Sequence, residues 1–97
     1  MELQELIRGE AECCATIGDN EVNFIYRPGL ITIEYTNTMD VSYAGMGQAL
    51  EDLIVSWDLT QDGEPLEINK EVIDRLPIEW VMKISDAIFD DVRSEKN

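Results

Sequence analysis

The chain has 97 residues, of which 44% are hydrophobic and 29% are charged, enough for one modest core but not for two. The net charge of −14, from 21 acidic and 7 basic residues, argues against binding to nucleic acid, which needs clusters of Lys and Arg to contact the phosphates. The same charge disfavours binding to anionic membranes. No apolar run reaches the roughly 20 residues that span a bilayer, and the acidic start is unlike a signal peptide. We expect one cytoplasmic domain over residues 1–97, with an arm at 1–10 and a frayed tail at 93–97.

The sequence lacks the usual groups of a catalytic or cofactor site. It has no histidine, which is the commonest general base and metal ligand. Its serines have no G-x-S-x-G setting, and no glycine-rich phosphate loop is present. Adjacent Cys13 and Cys14 cannot readily join each other, so we expect two free thiols. We therefore predict no enzymatic activity, no cofactor and no metal.

The first half of the chain predicts mainly β-structure. Leu3, Leu6 and Ile7 fall at helical spacing, and Gly9 would end that short helix. Residues 11–17 predict an edge strand that stops at the turn-forming residues 18–20. Polar and apolar residues alternate over 21–26 and again over 30–36, on either side of the sequence Pro-Gly. These two segments predict an antiparallel pair that covers one side of the helices.

The second half predicts helices. One long helix is indicated by six apolar residues spaced along a single face: Met46, Ala49, Leu50, Leu53, Ile54 and Trp57. Asp40 or Ser42 would cap it, Asn69 would cap a short helix through Leu76, and Pro77 would end that helix or open the next. The terminal helix is predicted by Trp80, Val81, Ile84, Ala87 and Ile88. The fold class is therefore α+β, a small antiparallel β-sheet in the N-terminal half packed against about three α-helices in the C-terminal half.

An acidic turn, Asp58-x-Thr60-x-Asp62-Gly63, matches the opening of a calcium-binding loop. Pro65 departs from that pattern, and Asn69 occupies the twelfth position, where a bidentate glutamate is needed. The spacing therefore favours an architectural turn, in which Asp58 or Thr60 bonds nearby backbone N–H groups and Gly63 takes a positive φ.

Two tryptophans could serve either as core residues or as anchors for a partner. Trp57 and Trp80 both lie on predicted apolar faces, which favours core packing with each indole N–H bonded to a loop carbonyl. Met46, Met82 and Phe89 widen the same faces beyond what one small core can absorb. We expect the remaining apolar surface to bind a partner.

Three short motifs resemble the small tail assembly chaperones of long-tailed bacteriophages and prophages. These proteins have a Tyr-x-Pro element after a strand, a W-x-L-T-x-x-D/G turn, and a leucine-proline break before the last helix. Tyr26-Arg27-Pro28 matches the first, Trp57 to Pro65 the second, and Leu76-Pro77 the third. The matches extend over about residues 22–92.

The resemblance implies a non-enzymatic cytoplasmic chaperone that coats the tape measure protein and recruits tail tube subunits, leaving before the virion is complete. Such a protein needs an adhesive apolar strip and enough charge to stay soluble. We hypothesise that Met46, Trp80, Met82 and Phe89 contribute to this partner-binding strip and to self-association.

Two other functions stay open. An acidic DNA mimic would inhibit a DNA-binding protein, but the acids are spread evenly, with a net charge of −6 over residues 1–40 and −8 over residues 41–97. A minor structural protein of the tail would instead be found in finished particles.

Overall fold

The computed structural model of the chain describes residues 9–40 and 42–94. The helix predicted from Leu3, Leu6 and Ile7 lies outside the described residues, as do most of the predicted arm and residues 95–97 of the predicted tail. Residues 93 and 94 belong to the last helix.

A three-stranded antiparallel sheet begins the fold. Strands β1 (Ala11–Ile17) and β2 (Asn20–Tyr26) form a hairpin whose turn has Gly18 at φ 62°, the glycine position of a type II′ turn. Both strands were predicted, and both are confirmed. Strand β3 (Ile54–Trp57) pairs with the other edge of β2, which gives the order β1-β2-β3. One face of the sheet is buried, and the other is exposed and largely polar.

The prediction of a strand over residues 30–36 is wrong. Residues 28–30 form a 3-10 turn, and helix α1 covers Ile33–Thr38. Thr32 caps α1, because its hydroxyl accepts the Tyr35 N–H at 3.0 Å. The alternation does not mark a buried strand face, since Ile33 is 81% exposed. Local capping therefore prevailed over the β-propensity of this segment.

Helix α2 (Tyr43–Leu53) is shorter than predicted. Ser42 is its N-cap, as one of the two predicted alternatives, and accepts the Gly45 N–H at 3.2 Å. The prediction that this helix reaches Trp57 is wrong, because the chain becomes strand β3 at Ile54. Pairing with β2 satisfies the backbone of this β-branched segment, and a helix would leave that edge of β2 open.

The remaining elements agree with the predicted turns and caps. Strands β4 (Thr60–Gln61) and β5 (Glu64–Pro65) form a two-stranded hairpin around Asp62 and Gly63, whose φ angles are 54° and 83° as a type I′ turn requires. Helix α3 (Lys70–Asp74) begins at the predicted cap Asn69 and ends two residues before Leu76. Helix α4 (Ile78–Ser94) follows Pro77 directly.

The core lies between the inner face of the sheet and the helices α2, α3 and α4. Helix α4 packs against β1 and α2, and α2 also packs against α3. The most deeply buried large side chains are Tyr26, Leu50, Leu53, Ile73, Ile84 and Ile88. The protein is therefore α+β as predicted, with the additional short helix α1 in its N-terminal half.

Candidate functional site

An apolar cleft of about 350 Å³ opens between the β4–β5 hairpin and the corner where α3 meets α4. Thr60, Gln61 and Arg75 provide the polar part of its lining. The apolar part is formed by six side chains: Leu59, Leu66, Val72, Leu76, Pro77 and Trp80. We call this depression the Trp80 cleft.

One wall of the Trp80 cleft is the base of the β4–β5 hairpin. Leu66 N–H donates to the Leu59 carbonyl oxygen at 3.0 Å, which holds these two leucines side by side. The Trp57 indole N–H donates to the Leu66 carbonyl oxygen at 2.8 Å, as expected for a core tryptophan that reaches a loop carbonyl. Trp57 therefore fixes the hairpin on the sheet, and its role is structural.

The other wall is the corner between α3 and α4. Asn69 starts α3 by accepting the Val72 N–H at 2.9 Å, and the Pro77 carbonyl starts α4 by accepting the Trp80 N–H at 2.9 Å. The corner places Leu76 and Trp80 in the cleft while both also pack against the core. The indole N–H of Trp80 was also predicted to reach a loop carbonyl, but among the described residues it has no hydrogen-bond acceptor.

Exposed acidic residues are next in the chain to several residues that line the cleft. Arg75 lines it, but its guanidinium is paired with Glu71 at 3.0 Å in an exposed ion pair. Asp62, Glu67 and Glu79 are exposed and each follows or precedes a lining residue in the chain. The lining residues therefore have more acidic than basic exposed neighbours along the chain.

The four predicted partner-binding residues do not form one surface. Trp80 lines the cleft, whereas Met82 lies about 200° further around α4 and therefore on the opposite side of the helix. Phe89 is seven residues beyond Met82, on the same side as Met82, and is half-buried. Met46 is half-buried on α2 and packs against the core.

A second apolar surface runs along α4. Ile78, Met82 and Phe89 follow one another at spacings of four and seven residues, and Ile78 and Met82 are 52% and 39% exposed. We call these three residues the α4 strip. Ile78, and Leu59 and Leu66 of the cleft, were not predicted from the sequence to be partner-binding residues, although apolar side chains beside turns and helix starts were a usable signal.

No family model, curated protein or solved structure matches the chain. Its function is therefore inferred from its residues and their geometry. Within the described parts of the chain, no helix combines the length and the apolar composition needed to cross a bilayer.

Perturbed titrating groups lie away from the cleft. Burial raises the pKa of the half-buried Cys13 thiol. Burial and the neighbouring Asp52 carboxylate raise the pKa of Tyr35 to about 12. The pKa of Asp40 is lowered, because its carboxylate accepts the Ser42 backbone N–H at 2.9 Å. These shifts report local structure at the sheet, at α1 and before α2.

The acidic turn that resembles a calcium loop is built differently from one. Thr60 belongs to strand β4, and both oxygens of the Asp58 carboxylate accept hydrogen bonds from Asn23, one from its backbone N–H and one from its side-chain amide, each at 3.0 Å. Asp58 therefore joins β2 to the end of β3. The prediction that it caps a local turn is wrong. Over residues 9–40 and 42–94, no three His, Cys, Asp or Glu side chains lie together as metal ligands would. The predicted positive φ of Gly63 is confirmed.

Proposed function

We propose that this protein is a non-enzymatic assembly chaperone of a bacteriophage or prophage tail. It binds the tape measure protein through apolar contacts, recruits tail tube subunits in the host cytoplasm, and is absent from the finished virion. The resemblance of Tyr26-Arg27-Pro28, Trp57 to Pro65 and Leu76-Pro77 to that family is the basis of the proposal.

The structural observation that best supports the proposal is that exposed apolar surface lies on elements that are packed into the core of a strongly acidic protein. The Trp80 cleft and the α4 strip both involve α4, whose buried residues Val81, Ile84 and Ile88 anchor it in the core. A surface held in this way can bind an apolar partner without first being ordered, which lowers the entropic cost of binding. The net charge of −14 keeps such a protein soluble when many copies assemble on one partner.

The family motifs also occupy positions that shape this surface. Trp57 holds the hairpin that forms one wall of the cleft, and Leu76-Pro77 forms the corner that makes the other. The motif residue Tyr26 is fully buried in the sheet. These structural roles support a proposal in which the motif residues form the scaffold and the adjoining helices bind the partner.

The test is complex formation between the purified chain and overlapping fragments of the tape measure protein from the same phage genome. Size-exclusion chromatography with light scattering should give a larger, defined species with at least one fragment. A variant in which Asp replaces Ile78 and Met82 keeps the core residues but loses the exposed apolar side chains of the α4 strip, and it should bind the same fragment more weakly. If no fragment binds the wild-type chain, the chaperone function is refuted.

A further inference from the structure

We infer that the Trp80 cleft binds one large apolar side chain of a partner segment whose neighbouring residues are Lys or Arg. This inference rests on the proposed function, because it specifies the kind of protein segment that the chaperone recognises. The partner class follows from the size of the cleft, its lining and the charges at its border.

The size of the cleft restricts what can enter it. A helix of about 10 Å diameter would fill 350 Å³ in less than one turn of about 5.4 Å, so side chains enter and the partner backbone stays outside. A volume near 300 Å³ is also the lower end of the range for binding pockets in proteins. The cleft therefore fits an anchor residue of a peptide better than an entire helix.

The lining specifies an apolar anchor. Leu59, Leu66 and Leu76 surround the space beside the half-buried Trp80 ring. Tryptophan in a partly desolvated pocket is the residue type that most often dominates protein interfaces. The anchor thus gains apolar burial against these side chains.

The charges at the border specify the flanking residues. Asp62, Glu67, Glu71 and Glu79 are exposed and each is next in the chain to a lining residue, and Arg75 is a cation in the lining itself. Because Glu71 pairs with Arg75 at 3.0 Å, the other three acids leave the surroundings of the cleft negative. Residues 58–80 carry seven acidic and two basic side chains, so the surrounding field has the same sign. Lys or Arg beside the anchor would therefore be attracted, and acidic segments would be repelled.

The test uses a displayed library of random 12-residue peptides, selected on the immobilised full-length chain. Enriched peptides should share a Leu, Ile, Met, Phe or Trp with at least two Lys or Arg within four positions. Enrichment of acidic peptides, or of none, would overturn the inference. In the best binder, replacing the apolar anchor by Ser should weaken binding at least tenfold, as should replacing its basic residues by Glu.

Variants of the chain locate the binding. Trp80→Ala should weaken binding of the selected peptide at least tenfold by fluorescence anisotropy, whereas Ile33→Ala, which truncates an exposed apolar side chain on α1 outside the cleft, should change binding by less than about twofold. Circular dichroism checks that both variants fold. An equal loss in both variants would place the peptide elsewhere and refute the cleft as its site.

Charge reversals keep the test decisive even if Trp80→Ala does not fold. Glu67→Lys and Glu79→Lys are exposed changes at the cleft border, and each should weaken the basic peptide by about three- to tenfold at low salt. Glu21→Lys makes the same charge change on the open face of the sheet and should have less than half of that effect. Equal effects at all three positions would mean that only the overall charge attracts the peptide, which overturns the inference.

Failure of this inference and failure of the chaperone function give different results. Tape measure fragments that bind Trp80→Ala as well as the wild type would refute the cleft and leave the chaperone function standing. Library peptides that bind the cleft while every tape measure fragment fails would refute the chaperone function and leave the cleft as a site for another basic partner.

Discussion

Gly45 provides a sharp test of the structure, because helix propensity and tertiary contacts predict opposite signs for its replacement. Propensity alone predicts that Gly45→Ala stabilises α2 by up to about 1 kcal/mol. In the structure, however, a Cβ atom at this position would lie 2.0 Å from the Asp40 carbonyl oxygen and 2.5 Å from the Asp40 Cβ. We therefore expect Gly45→Ala to destabilise the protein.

The magnitude follows from what must move to remove that overlap. Forcing an extra methyl group into a filled space typically costs about 1–3 kcal/mol. Moving Asp40 away also endangers the cap of α2, in which Asp40 accepts the Ser42 N–H at 2.9 Å and Ser42 accepts the Gly45 N–H at 3.2 Å. Loss of such a cap costs about 1 kcal/mol, which cancels the gain in helix propensity. The net expectation is a loss of about 1–3 kcal/mol in the free energy of unfolding.

Urea unfolding followed by tryptophan fluorescence measures this change as a lower midpoint at an unaltered slope. Gly47→Ala is the matched control in the same helix, because its Cβ would meet the Ile73 Cγ2 methyl at 3.2 Å and two further side-chain atoms at 3.7 Å, a much smaller overlap than that at Gly45. Gly47→Ala should therefore lie within about 1 kcal/mol of the wild type. A Gly45→Ala protein as stable as the wild type, or more stable, would refute the predicted overlap with Asp40.

Three further predictions concern residues outside the cleft. Asp58→Ala should lower the free energy of unfolding by about 1–2 kcal/mol, because two hydrogen bonds from β2 lose their acceptor, and Ca²⁺ should not shift the melting temperature of the wild type. Absorbance titration should show the Tyr35 pKa at about 12, and Asp52→Asn should lower it towards 10.0. Because this folded-state pKa is above the unfolded value, the contribution of Tyr35 to stability is complete below pH 10.0 and is lost as the pH rises through about 12. Iodoacetamide should label exposed Cys14 faster than half-buried Cys13, and mass spectrometry of peptides would contradict this by finding Cys13 labelled first.

Local chemistry explains the parts of the fold that were predictable from the sequence. Ser42 and Asn69 cap helices because a short polar side chain can accept the N–H three residues later. Gly18 and Gly63 mark tight turns because their positive φ angles suit glycine best. In each case the signal and its structural consequence lie within a few residues.

Two predictions of secondary structure were wrong for the same reason. Residues 30–36 alternate like a strand but are helical from Ile33, and the helical spacing of Met46 to Trp57 continues into a strand after Leu53. Apolar spacing over a few residues fits both a helix and a strand, and the choice depends on which segment occupies the open edge of β2. Ile54–Trp57 pairs there, so its backbone hydrogen bonds are satisfied between strands and the helix ends.

The residues of the candidate site were also only partly predictable from local spacing. The sequence identified Trp80 as a candidate for partner binding, but it grouped this residue with Met82 and Phe89, which lie on the other side of α4. The cleft combines a hairpin with a helix corner, and no spacing within one segment connects Leu59 to Trp80. Such a site arises from packing between segments and leaves no local pattern.

By itself, the sequence determined the α+β class, the acidic surface, two hairpin turns and the helix caps, because these depend on composition and on contacts between near neighbours. Tertiary structure decided which segment completed the sheet, that Asp58 binds Asn23 across two strands, and that Trp80 faces a cleft while Met82 faces away from it. These outcomes require distant segments to compete for the same strand edge and the same apolar space, and that competition is resolved only when the whole chain packs.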